Sequence, residues 1–303
     1  MILGYSESLY LLPFDHRGSF EKGMFGWRGP LTLAETTIVE APKRIIYAGF
    51  EDAIAAGVPK RKAGIVVDEE FSDPILRDAV GQGYIVVYPV EKPGQTEFDF
   101  EYDHFAGHIQ VFEPKFCKAL IRYNPEGNRL VNNLQLDRLK RLSDYLHSES
   151  QSLFMLELLV PPEASQLSTV DGDLASYNSE IRPGLMVDAI KDLQRAGVEP
   201  DVWSIEGVKR RENCERIIEV ARRESRDKVS CIVHGQNHSD EELRECLSIA
   251  APISGYIGFA LGHDFWEPLW RWRAKTIPRE VASRQIADRF RGFVDFFENA
   301  SAR

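Results

Sequence analysis

Glu157 stands inside the apolar run 153–160 (LFMLELLV), and this placement is the clearest chemical signal in the chain. A carboxylate in the middle of a buried segment must be paired or neutral, because burying it alone costs several kcal/mol. Lys118, in the apolar run 116–123 (FCKALIRY), is the matching cation, and Arg122 follows four residues later on the same face of an extended segment. A third run, 9–14, stops abruptly at Asp15-His16-Arg17. Two carboxylates and an amine brought together can move protons to and from a substrate and stabilise charge that develops on it. The same residues would also suit a structural ion pair without chemistry.

Three weaker sets need weighing. Asp68-Glu69-Glu70 has the ligand type for a divalent cation with Glu157 or Glu206, although acids just after a strand more often cap a helix or face solvent. His234, His238 and His263 suggest zinc, yet their spacing matches no metal motif, and no metal or other cofactor is expected. Lys209-Arg210-Arg211 could meet an anion but reads better as a solvated helix start.

The elements that must position these groups follow from periodicity. Apolar runs closed by turn residues fall at 9–14, 63–68, 84–90, 116–123, 153–160, 201–207, 229–233 and 255–261, each with the character of a strand buried on both faces. Helical patterns occupy 35–58, 72–79, 132–150, 183–196, 212–223, 239–249 and, as a final amphipathic helix, 279–299. The glycine- and aromatic-rich stretch 21–33 reads as a loop over the rim, and 91–114 as a long connection with one short helix near 102–108. Eight alternating units predict a single-domain (β/α)8 TIM barrel over 1–303, an α/β fold whose functional groups gather at the C-terminal strand ends. An open doubly wound sheet is the runner-up; neither G-x-G-x-x-G nor a P-loop is present to support nucleotide binding.

Composition narrows the partners. The 303 residues, 43% hydrophobic, suffice for a large core. A formal net charge of −10 argues against a broad nucleic-acid surface. Cys117, Cys214, Cys231 and Cys246 form no metal or redox spacing, so reduced thiols and a cytoplasmic location are expected. No apolar run approaches the roughly 20 residues that span a bilayer, so no membrane partner is expected. Assembly of identical chains is left open.

The motifs LPFDHRGSF, KALIRYNPEG, LELLVPP, PDVWSIEG and GFALGHDFWEPL together resemble the DUF2090 family, from about Leu9 to Phe297. That family is related to class I tagatose-bisphosphate aldolases and to the aldolase-like C-terminal half of some inositol-catabolism kinases, linked to 2-deoxy-5-keto-gluconate-phosphate aldolase activity. The resemblance implies a barrel in which a sixth-strand lysine forms a Schiff base, a fifth-strand glutamate moves protons, and a first-strand aspartate and fourth-strand lysine support them. Asp15, Lys118 and Glu157 fall on those positions. The sixth strand departs: where relatives read W-K-I/L-E, this chain reads Trp203-Ser204-Ile205-Glu206. Two places where the family tends to have Gly-Arg read Gly235-Gln236 and Gly262-His263, which weakens phosphate binding.

The sequence therefore predicts a diverged aldolase-like lyase acting on a small, unphosphorylated polyhydroxy or keto compound. Glu157 is the acid/base, with Asp15, Lys118 and Ser204 beside it, and His16, Arg17, Arg122, Glu206, His234, Gln236 and His263 are substrate-binding candidates. A non-catalytic binding barrel and a metal-dependent enolising enzyme are the alternatives.

Overall fold

Each of the eight apolar runs forms a strand, and the register accounts for burial on both faces. In the computed structural model, β1 (Leu9–Pro13), β2 (Ala63–Val66), β3 (Ile85–Pro89), β4 (Phe116–Arg122), β5 (Leu153–Leu159), β6 (Val202–Glu206), β7 (Ser230–His234) and β8 (Tyr256–Ala260) pair in parallel, in chain order. Strand β8 returns to β1 with Leu11 opposite Ala260, which closes the barrel. The structure describes every residue except Met1, Ile2, Arg28, Pro30, Asn237, His263, Asp264, Phe265 and Arg303. Side chains alternate along each strand: Leu9, Leu11, Val66, Phe116, Met155 and Ile232 form an interior cluster, while Leu12, Ile65, Ile121, Leu156 and Ile205 join the larger core beneath the helices.

After β1, α1 (Gly18–Phe20) runs into a π-helical turn, Glu21–Phe25, and then α2 (Leu33–Ala55). Next come α3 (Asp73–Gln82), α4 (Phe105–Phe112), α5 (Arg129–Glu149), α6 (Ala164–Ser168) and α7 (Leu174–Ser176). A second π-helical turn, Tyr177–Ile181, leads into α8 (Arg182–Arg195), followed by α9 (Arg211–Arg222), α10 (Asp240–Ala250), α11 (Trp266–Arg273) and α12 (Arg279–Ser301).

Several expected boundaries shift for local reasons. The stretch expected as a loop over 21–33 begins helically, and Gly26 ends it in the left-handed conformation. Helix α2 starts earlier than 35 because Thr32 and Glu35 form a reciprocal capping box. The short helix expected near 102–108 lies at Phe105–Phe112 and ends where Glu113 adopts positive φ. Helices α6, α7 and α11 carry too few turns to show a period in the sequence; α7 is held by Asp173, whose carboxylate accepts from the N–H groups of Ala175 and Ser176.

Closure depends on glycine at one point. A Cβ at Gly258 would come 1.7 Å from the Leu9 carbonyl oxygen, because β8 meets β1 there with no room between the backbones. A Cβ at Gly107, on α4, meets nothing within 4 Å. Gly258→Ala should therefore cost at least about 3 kcal/mol of unfolding free energy in urea denaturation, whereas Gly107→Ala should stabilise by up to about 1 kcal/mol. Equal effects would show that the seam is not tight.

Candidate active site

A cavity of about 720 Å³ opens where the strands end in the C-terminal direction, as the barrel geometry requires. Asp15, His16, Arg17, Lys118, Arg122, Glu157, Ser204, His234 and Gln236 all line it. Glu157 reaches its wall because Met155, two residues earlier, faces the barrel interior; the β5–β6 register sets Ser204 beside it. Lys118 lies deeper than Arg122 on β4, which is exposed at the mouth and donates to the Gln95 carbonyl at 3.0 Å.

Lys118 is the centre of this wall. Its buried ammonium lies 2.7 Å from Asp15 Oδ2, 3.0 Å from Glu157 Oε2 and 3.2 Å from Glu91 Oε1. Burial alone would lower its pKa, but Asp15, Glu157 and Glu91 together hold it well above the ordinary lysine value. For Asp15, burial works upward and is outweighed by Lys118, His16 and Arg17, which keep its carboxyl below the usual range. Burial pushes Glu91 up, and Lys118 offsets this only in part. Sequence reasoning missed Glu91, assigning it to the connection after the third strand. The signal was there: it follows an apolar run at the strand tip, as Asp15 does.

Around this group runs a second ring of buried pairs. The Arg17 guanidinium donates to the Glu91 carbonyl at 2.8 Å and lies 3.4 Å from Glu101. Lys43, fully buried on α2, pairs with Asp68, and its ammonium faces the Phe71 ring at 5.2 Å. Burial lowers the Lys43 pKa despite Asp68, yet Lys43 does not line the cavity.

Other expectations change once the side chains are placed. The acidic tip of β2 neither faces solvent as a unit nor gathers as a metal site. Asp68 is spent on Lys43 and the Phe71 N–H, Glu69 accepts from the Tyr88 hydroxyl at 2.6 Å and lies 2.8 Å from His108 Nδ1, and only Glu70 reaches the cavity. Among the described residues no group of three or more His, Cys, Asp or Glu side chains is arranged to hold a metal ion. Glu206, a substrate-binding candidate by sequence, is turned away: Arg182 donates to one oxygen at 2.7 Å and the Val160 N–H to the other at 3.0 Å. Lys209 pairs with Glu245 at 2.7 Å, and Arg211 with Glu215 at 2.8 Å. His263 lies outside the described residues.

His234 and a loop complete the site. His234 is 3% exposed, and neither ring nitrogen has a hydrogen-bond partner among the described residues. Burial lowers its pKa against the pull of Glu157 and Glu206, leaving a neutral imidazole facing the cavity. Residues 91–101 fold back as a narrow loop, Lys92 N–H to the Asp99 carbonyl and Glu101 N–H to the Val90 carbonyl, each 2.9 Å. Gln135, fully buried on α5, accepts from the Phe98 N–H at 2.9 Å and donates to the Arg122 carbonyl at 3.0 Å, so it ties this loop to the tip of β4.

Comparison with known proteins agrees with this architecture. A Plasmodium falciparum fructose-bisphosphate aldolase superposes with a TM-score of 0.62 at 11% identity, covering 99% of this chain and 91% of that one. An archaeal fructose-1,6-bisphosphate aldolase, solved with its catalytic Lys covalently bound to the carbinolamine intermediate, gives 0.54 at 14% identity over 96% and 94%. The Corynebacterium glutamicum protein Cgl0159 gives 0.55 at 14% identity over 96% and 87%. At such identities the likeness concerns the fold. No curated protein matches the chain in sequence. The family described as "Uncharacterized protein conserved in bacteria (DUF2090)" matches residues 4–301, and the chain belongs to it.

Proposed function

We propose that this barrel is an aldolase-like enzyme that works without an imine, on a small, unphosphorylated polyhydroxy carbonyl compound. The observation that carries the reading is the Lys118 ammonium held within 3.2 Å of Asp15, Glu157 and Glu91 on the cavity wall. An imine needs a neutral amine at the substrate carbonyl. Lys118 is kept protonated by its carboxylates, Ser204 has no amine, and Lys43 stands behind the wall.

A charged lysine serves the same bond cleavage electrostatically. The Glu157 carboxylate accepts the proton of the hydroxyl β to the carbonyl, the adjacent carbon–carbon bond breaks, and its electron pair moves onto the carbonyl oxygen as an enolate. The Lys118 ammonium and the Ser204 hydroxyl stabilise that oxygen. The enolate carbon then takes the proton back from Glu157, releasing two carbonyl products and restoring the carboxylate. Glu91, the most distant of the Lys118 partners, is the one whose place the substrate oxygen takes. Asp15 keeps the ammonium in position.

Ser204 also favours a second reading, a barrel that binds such compounds without turning them over. Incubation in D2O with a panel of unphosphorylated ketoses and keto acids separates the two. Deuterium should enter the carbon next to the carbonyl of at least one member, and Glu157→Gln should slow this by at least about 100-fold. Borohydride should leave no adduct on Lys118; a stable adduct there would overturn the imine-free mechanism. No exchange with any compound would leave the binding reading.

The neutral state of His234 also makes stability depend on pH. In the unfolded chain the imidazole titrates near about 6.5, while burial lowers it in the fold. The unfolded chain thus takes up the proton first, and this contribution is present above that pH and lost as pH falls through the folded value. His234→Asn should remove it, so urea midpoints of variant and wild type should converge or cross between about pH 7.5 and 5.5, by up to about 1.4 kcal/mol per pH unit. A constant difference would show that His234 carries no such burden.

A further inference from the structure

The connection between β3 and α4 is firm at its base and loose at its tip. At the base, Glu91 bridges Phe100, the Lys92 N–H donates to the Asp99 carbonyl and the Glu101 N–H to the Val90 carbonyl, the last two at 2.9 Å. Phe98 is 2% exposed; its N–H donates to Gln135 at 2.9 Å and its carbonyl accepts from Arg138 at 2.7 Å. Phe100 stacks on Phe105 with ring centres 4.2 Å apart, and the Arg141 guanidinium lies over both rings. Buried contacts and hydrogen bonds of this kind open only together with larger parts of a fold.

The tip has none of this. Pro93 carries no N–H, Gly94 turns the chain at φ 73°, and the N–H groups of Gly94, Gln95, Thr96 and Glu97 donate to no protein acceptor among the described residues. Among those residues, one hydrogen bond joins the backbone of 94–97 to the rest of the protein: Arg122 Nη1 donates to the Gln95 carbonyl at 3.0 Å, from an exposed side chain. An exposed hydrogen bond gives way to water at little net cost. Arg122 therefore meets this loop twice. Its carbonyl accepts from Gln135, which holds Phe98 in a buried contact, and its side chain reaches the tip in a releasable one. The tip lines the cavity together with Gly29 and Leu31, while Lys118 and Ser204 on the wall are at most 5% exposed.

We propose that residues 93–97 are a flap over the cavity, pivoting at Pro93-Gly94 and just before Phe98, and that Arg122 is its latch rather than a group that binds substrate. Closed, the flap keeps water from Lys118 and Glu157; released, it widens the way in. Gln135 keeps hinge and latch in register, so the tip returns to the same place. The device acts on access alone and does not depend on which compound the cavity turns over.

Two reporters test this on the intact chain. Cys117, Cys214, Cys231 and Cys246 are at most 1% exposed, so an introduced thiol reacts alone. A nitroxide on Thr96→Cys, at the exposed tip, reads how firmly the flap is held. Alkylation of Leu120→Cys by iodoacetamide reads entry, because Leu120 lines the cavity on β4 between Lys118 and Arg122. Each reporter is combined with Arg122→Met, which keeps the length of the side chain but cannot donate, and with Arg122→Lys, which can, all checked for native circular dichroism. The methionine variant should shift the nitroxide spectrum toward fast motion and speed alkylation by at least about 3-fold, the scale of one exposed hydrogen bond; the lysine variant should stay near the parent in both. Loss of the arginine charge by itself would slow alkylation by raising the thiol pKa, so acceleration reports access. A nitroxide unmoved by Arg122→Met, or a loosened tip with unchanged alkylation, would overturn the flap. Neither readout needs a substrate. Absence of deuterium exchange with every ketose would sink the catalytic reading and leave the flap, and unchanged alkylation in a chain that exchanges deuterium would do the reverse.

Discussion

One ammonium group among three carboxylates sets the character of this protein. Asp15, Glu91 and Glu157 arrive from three different parts of the chain and converge on Lys118 within 3.2 Å. Without a cation, acids so close would repel, and some would take up protons. At an effective dielectric of about 20, unit charges about 3 Å apart interact by roughly 5 kcal/mol. Lys118 is what lets Asp15 remain ionised in a buried place, and the carboxylates in turn keep Lys118 charged. Each protonation state depends on the others, so the cluster behaves as one unit.

The barrel makes that convergence unavoidable. Parallel strands carried to one rim bring their C-terminal tips together, and period-two alternation selects which side chains enter the mouth. The rim must then be held against its own charge. Arg17 on the Glu91 carbonyl, Lys43 on Asp68 and Arg182 on Glu206 form braces that fasten the tips of β1, β2, β3 and β6 to loops and helices. Gln135 does the same without charge for the loop above β3. These braces do not touch the proposed reacting atoms, yet they determine where Lys118 and its partners sit.

The barrel could be read from the sequence because each strand is an apolar run closed by turn residues and the alternation with helices is regular. Glu157 and Lys118 were legible for the same reason: a charged residue inside such a run stands out. Lys43 was not, because a lysine in an amphipathic helix normally faces water, and only the tertiary approach of Asp68 explains its burial. Glu206 has the same parity as Ser204 and so looked like a cavity residue. As the last residue of β6 it rises above the interior and meets Arg182, a partner that no spacing announces. Helices α6 and α7 escaped notice because, at five and three residues, they are defined by their caps rather than by a period.

The serine at position 204 bears on how the neighbouring groups can be read. A Schiff-base lysine works with its pKa depressed, which calls for few nearby anions. Here the buried lysine of the cavity, Lys118, is surrounded by carboxylates, and the lysine with the lowered pKa, Lys43, is buried behind the wall. An amine at position 204 would stand beside Glu157 in the β5–β6 register, where the carboxylate favours a charged amine and the Lys118 ammonium, 3.0 Å from that carboxylate, favours a neutral one. A serine at position 204 and a lysine held charged at position 118 are what the proposed imine-free reading requires, in which the carbonyl oxygen is polarised rather than replaced by nitrogen.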